Sequence, residues 1–295
     1  MGETQVIKNL LFSTKRLHRD SGESELDKLD KNQELVEFVA SLLSQLQNAN
    51  EHTAWAEIHG CLLGIKCVLN KYNFNESSSF DEEKIRLEAL KNLQHPELRV
   101  RKMAGLLLGV LCKITQGKTY TLSKRHLLQL LESDLERKGQ EDPSEDFDDN
   151  ASISSKVSDF TAKELLHQSM GWRHLETSIK CLHVMITGCG NHFENQLDKD
   201  LVFFLFKALK HENRFVRETG FYVFAELFIS KLRIEQNKML NEISGNIAEQ
   251  ISLGLADNWS QVRLASSNVA RSFMINFPNA KDHFKLLLPR LCLNR

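Results

Sequence analysis

The chain reads as an all-α protein assembled from repeated helical hairpins, and three observations carry that reading. The dipeptide Val-Arg recurs at Val100-Arg101, Val216-Arg217 and Val262-Arg263, each time between a polar turn and a helix rich in small and apolar residues. The last two pairs lie 46 residues apart, the period of a two-helix unit that stacks on its neighbours. The run Gly60-Cys61-Leu62-Leu63-Gly64-Ile65 returns 45 residues later as Gly105-Leu106-Leu107-Leu108-Gly109-Val110. Only 4 Pro and 14 Gly occur in 295 residues, and no alternating, turn-punctuated segments suggest strands. The fold class expected is an α-α superhelix, a solenoid of about five helical-hairpin repeats followed by half of a sixth.

Composition narrows the class of function. A content of 41% hydrophobic and 26% charged residues is that of a soluble protein. No stretch approaches the roughly 20 unbroken apolar residues of a membrane span. The opening MGETQVIKNLLFSTKR lacks a signal-peptide core. Gly2 does not make a myristoylation site, because Val6 stands where Ser or Thr is required. Cys61, Cys67, Cys112 and Cys181 fall on apolar stripes, as reduced buried thiols do. Sequons at Asn75, Asn150 and Asn258 are therefore expected to go unused, and the compartment expected is cytoplasm or nucleus.

Along the chain, residues 1–32 are polar and read as a frayed N-terminal tail or a partial capping helix. Residues 33–131 hold the first two repeats and the start of the third. Leu35, Phe38, Val39, Leu42, Leu43 and Leu46 make the first stripe, Asn48 to His52 the turn, and a second helix begins near Trp55. Ser79 with Glu82 has the form of a capping box opening a helix that carries Ile85, Leu87, Leu90 and Leu93. Ala104, Gly105 and Gly109 on the following helix let a neighbour approach closely, which offsets the poor helix propensity of glycine. Residues 132–158 are acidic and serine-rich, an insertion expected to be disordered. Residues 159–295 complete repeat 3 from a capping box at Thr161 and Glu164, continue through repeats 4 and 5, and stop within repeat 6. The missing second helix would be centred near position 307, so the expectation is a truncated form, or an end covered by a partner or by the terminal helix itself.

An apolar helix, a turn containing Asp or Asn, then Val-Arg and an Ala/Gly-rich helix resembles the HEAT repeat of the HEAT/armadillo superfamily. Asp257-Asn258 with Val262-Arg263 carries the resemblance best, followed by Glu212-Asn213 with Val216-Arg217. His95-Pro96-Glu97 with Val100-Arg101 departs at the acidic turn position, and Trp55 and Trp172-Arg173 are degenerate versions. The resemblance covers residues 33–131 and 159–295. It implies a right-handed solenoid serving as a binding platform, with the arginines tying neighbouring repeats to turn carboxylates.

Chemistry-bearing motifs are sparse. Cys181, His183, Cys189 and His192 are zinc-ligand types, but their spacing matches no zinc pattern and Cys181 and His183 face different sides of a helix. Gly117-Lys118-Thr119 lacks the glycine a phosphate loop needs at position 112. No catalytic residue, cofactor or metal is expected. Residues 132–159 contain ten acidic and three basic side chains in a chain of net charge −1, so the remainder is mildly basic. The serines at 144, 152, 154, 155 and 158 are phosphorylation candidates. Trp55, Trp172 and Trp259 all fall at the start of a second helix, and with Asn258 they form the candidate protein-binding ridge. The function expected is a non-catalytic protein-interaction scaffold, with an acidic or helical ligand as the candidate occupant of its groove and no membrane partner. A nucleic-acid-binding solenoid is the alternative, weakened by acids interspersed among the bases, and a tubulin-binding array is another.

Overall fold

The computed structural model describes residues 3–29, 32–71, 80–136, 171–229, 238–277 and 279–293. Regular structure among them is entirely helical. The order is α1 (Glu3–Leu11), α2 (Arg16–Leu26), α3 (Asn32–Gln47), α4 (Trp55–Lys71), α5 (Glu82–Asn92), α6 (Leu98–Ile114), α7 (Lys118–Glu136) and α8 (Trp172–Cys189). A 3-10 turn (Gly190–Gln196) leads to α9 (Lys199–Leu209), α10 (Arg214–Ile229), α11 (Lys238–Glu242), α12 (Ser244–Leu255) and α13 (Ser260–Asn276). A second 3-10 turn (Ala280–His283) precedes α14 (Phe284–Leu293). The chain divides into two compact units, residues 1–124 with 184–192 and residues 125–183 with 193–295.

In the first unit α4 packs on α6 and α3 on α5, so second helices stack on second helices and first on first. Leu42, Leu62, Ile65, Leu107, Leu108 and Leu111 are fully buried along these faces. Leu87 departs from its expected stripe and is half exposed. The glycines locate the closest approaches. A Cβ on Gly60 would lie 2.6 Å from the carbonyl oxygen of Leu11. A Cβ on Gly188 of α8 would fall on the carbonyl oxygen of Gly109 in α6, far inside van der Waals contact.

The N-terminal segment is not one tail or capping helix. It is a hairpin, α1 and α2, both packed on α4, with Ile7, Leu11 and Leu26 fully buried. The cap of α5 also differs from expectation. Asp81 is the N-cap, accepting from the Lys84 backbone N–H at 3.0 Å, while Ser79 lies outside the described residues. At the end of α6, Gln116 and Gly117 take positive φ (50° and 87°), and the Gly117 N–H reaches back to the Cys112 carbonyl at 2.9 Å. That six-residue closure ends the helix, with Gly117 in the turn and Lys118 and Thr119 already opening α7.

In the second unit α10 packs on α13 and α9 on α12, repeating the arrangement of the first, and α14 packs on α12. Its core is aromatic. Phe224, Phe228, Phe273 and Phe277 form a chain of ring contacts with centroids 4.5–6.1 Å apart. Helix α7 runs through Glu136, so the interruption begins later than residue 132. Asp134, counted by composition with the acidic insertion, is 3% exposed and accepts from the Ser178 hydroxyl at 2.9 Å. Residues 137–158 and the capping box at Thr161 lie outside the described residues.

Candidate functional site

One constellation recurs at the turns, and it is built from backbone as much as from side chains. Arg101 donates from Nη1 to the carbonyls of His95 (2.9 Å) and Pro96 (2.6 Å), six and five residues earlier. Arg217 does the same to His211 (2.8 Å) and Glu212 (2.7 Å), and Arg263 to Asp257 (2.8 Å) and Asn258 (3.1 Å). A fourth copy stands where the sequence showed no Val-Arg. Arg19 donates to Ser13 (2.7 Å) and Thr14 (2.9 Å). Each guanidinium thus satisfies carbonyls in the turn before its helix, and Val100, Val216 and Val262 beside three of them are fully buried.

The first residue of each turn performs a second task. Its side chain accepts the N–H two residues on, at 3.0 Å for His95, His211 and Asp257, 2.9 Å for Asn50 and 3.2 Å for Ser13. The imidazole Nδ1 of His95 and His211 does what the Asp257 carboxylate does. That role requires the neutral ring, and burial pulls both histidines below the usual imidazole range. The equivalent of Asp257 is therefore His211, one residue ahead of the Glu212-Asn213 pairing that the sequence suggested.

Between consecutive hairpins of the second unit the arginine acts as a staple. The free edge of Arg217 grips Asp257 with both donors, Nε to Oδ2 at 2.8 Å and Nη2 to Oδ1 at 3.0 Å, and both side chains are largely buried. Bidentate, desolvated pairs of this kind are the strong ones.

The tryptophans sit where the pattern placed them, Trp55 and Trp172 as first residues of α4 and α8 and Trp259 as the cap of α13. In the second unit they belong to one stacked ladder. Trp172 stacks on Phe215 at 4.9 Å, Arg214 covers Phe215 at 4.6 Å, and the same guanidinium covers Trp259 at 3.8 Å. Trp259 remains 39% exposed, and Asn258 beside it is exposed. In the first unit Trp55 carries Arg99 at 4.4 Å and Arg19 at 5.7 Å. Arg214, Phe215, Arg99 and Arg19 were not singled out by sequence. Their signal is a basic or aromatic residue near the start of a second helix, opposite a tryptophan in another hairpin.

His59 lies one turn from Trp55, edge-on to it at 6.2 Å. It is buried, and its Nδ1 finds no partner among the described residues. Burial first, then the nearby Arg19, Arg99 and Lys66, holds its pKa down at about 4 against the usual 6.5. The unfolded chain therefore takes up this proton at higher pH than the folded one. Stability is full above pH 6.5 and falls as pH drops through 4, by about 3 kcal/mol in total. Urea midpoints at pH 7 and pH 4.5 check this. The acid loss should shrink in His59→Leu, and an equal loss in both proteins would contradict it.

The outward faces of the second helices in the second unit border an open groove. His183 of α8, Tyr222, Glu226 and Ile229 of α10 and Arg271 and Ile275 of α13 line it. Ile229 and Ile275 are 58% and 69% exposed, and His183 faces Glu226 at 3.9 Å. The quartet of zinc-type residues is divided. Cys181 and His183 belong to the second unit, Cys189 and His192 to the first. Burial pushes the Cys181 thiol up to about 12, so it stays protonated. Among the described residues no three His, Cys, Asp or Glu side chains converge as a metal site.

No protein-family model matches the chain, and no curated protein matches it. Among solved structures, the crystal structure of an engineered protein is similar at 13% identity, with a TM-score of 0.47 over 94% of this chain and 98% of that one. That likeness is too slight to carry a fold or a function.

Proposed function

We propose that the chain is a non-catalytic protein-interaction scaffold, a HEAT-like right-handed solenoid whose hairpins are stapled through their turns. The observation that carries this reading is the turn constellation, present at Arg19, Arg101, Arg217 and Arg263 with the same two carbonyl acceptors each time. These bonds fix the turn of each hairpin, Arg217 adds a bond to the next hairpin through Asp257, and stacking of second helix on second helix leaves their outer faces open for partners. The groove of α8, α10 and α13 fits that use, because it places exposed isoleucines beside Tyr222 and Arg271, a composition suited to an apolar anchor with a polar rim.

Affinity capture with mass spectrometry tests the proposal, comparing the wild-type chain with an Ile229→Asp/Ile275→Asp double variant. Both side chains are exposed, so the variant is expected to melt within a few degrees of wild type. Proteins enriched by the wild type and lost from the variant are the expected result. An identical set from both would remove the groove from the proposal, and an empty set from the wild type would contradict the scaffold itself.

A further inference from the structure

Arg217 and Arg263 are held alike, each with Nη1 on the two carbonyls of its own turn, but only Arg217 has its other edge filled. Asp257 of the next hairpin fills it. The corresponding Nε and Nη2 of Arg263 meet no carboxylate among the described residues. Forty-six residues separate the two arginines, and the same offset reveals how the face beside Arg263 differs. Phe221 and Ala225 of α10 correspond to Ser267 and Arg271 of α13. Arg263, Ser267 and Arg271 follow one another at four-residue steps and so share a stripe of the helix. An apolar stacking face has become a cationic one. Between 260 and 293 the bases Arg263, Arg271, Lys281, Lys285 and Arg290 stand against the single acid Asp282.

The geometry points to the Arg263 stripe of α13, beside the exposed Trp259, as a docking site for an acidic helical segment of a partner protein, with a leading carboxylate taking the place on Arg263 that Asp257 takes on Arg217. This rests on the scaffold reading and gives it a second surface, which meets the groove at Arg271. A planar fork matches a carboxylate in two parallel hydrogen bonds, which a lysine cannot do. Arg271, two turns on, meets a carboxylate about two turns along the ligand helix, and Trp259 offers apolar area at the rim.

The test uses the full chain and a labelled amphipathic peptide of Leu and Glu that opens on one Asp, followed by fluorescence anisotropy. Binding is expected to weaken about tenfold in Arg263→Lys, which keeps the charge and loses the fork, and comparably when the peptide Asp becomes Asn. Arg271→Gln, at an exposed position outside the turn constellation, is expected to weaken binding without changing the melting temperature. No binding to the wild type, or equal binding to wild type, Arg263→Lys and Arg271→Gln, would overturn the site. Tighter binding of a DNA duplex with the same arginine dependence would also overturn it, in favour of a phosphate ligand. An uncharged groove variant, Ile229→Ser/Ile275→Ser, adds no carboxylate beside Arg271 and should bind the peptide as the wild type does. Loss of this site with capture through the groove intact would leave the scaffold standing, and loss of both would remove the scaffold as well.

Discussion

Replacing Val216 or Val262 with Asp is expected to destabilise the chain by about 4 kcal/mol, whichever protonation state the new carboxyl adopts. Both valines have no exposed surface, and each lies one residue before an arginine anchored to its turn. An ionised Asp there would be a charge without water, and a neutral one would carry polar groups with no provision for them. Relief by moving the helix end is blocked, since the next residue is pinned to two carbonyls. Leu264→Asp supplies the control on the same helix, because Leu264 is 60% exposed and should cost within about half a kcal/mol. Urea unfolding of the three variants decides the matter. Equal midpoints for Val262→Asp and Leu264→Asp would mean that the Val-Arg register is wrong.

Gly188→Ala reverses the ordinary sign of a helix substitution. In an open helix the change gains up to about 1 kcal/mol. Here the new methyl would fall on the carbonyl oxygen of Gly109 and lie 3.1 Å from the Cys112 Cβ. The obstacle is backbone and cannot rotate aside, so α6 and α8 must separate, and a loss of about 3 kcal/mol is expected. Gly245→Ala, whose methyl would meet nothing nearer than His283 at 3.8 Å, should be neutral or gain about half a kcal/mol. Thermal melts that rank the two the other way would contradict the close helix contact.

The helical hairpins were legible because apolar stripes and small residues repeat with a period that burial enforces. Ala104, Gly105 and Gly109 pointed to a close helix approach, and the structure puts the Val184 backbone against Gly109, while the equally close approach at Gly60 was not read from its run. Four things were hidden. The turn acceptor was sought as an acid, so His95 and His211 were passed over, although a neutral imidazole accepts the same N–H. The first hairpin was missed because His18 stands where the others have Val, in a run of polar residues that buries only a few side chains. Asp134 was counted with the acidic insertion because composition is blind to a single buried carboxylate bound to a serine 44 residues away. The aromatic ladder could not be read from one strand of sequence, since each rung comes from a different hairpin. With the turn acceptor recognised, His167-x5-Arg173 reads as a further copy of the pattern. Its histidine lies outside the described residues.

The stapling of consecutive hairpins by arginine is tested most directly by a double-mutant cycle on Arg217 and Asp257. Asp257→Asn keeps an oxygen for the Trp259 N–H and removes the charge, while Arg217→Gln removes the fork. The pair is 16% and 11% exposed, so solvent screens it little. Equilibrium unfolding of the wild type, both single variants and the double variant should give a coupling of about 2 kcal/mol. A coupling indistinguishable from zero would show that the bidentate contact does not hold the hairpins together.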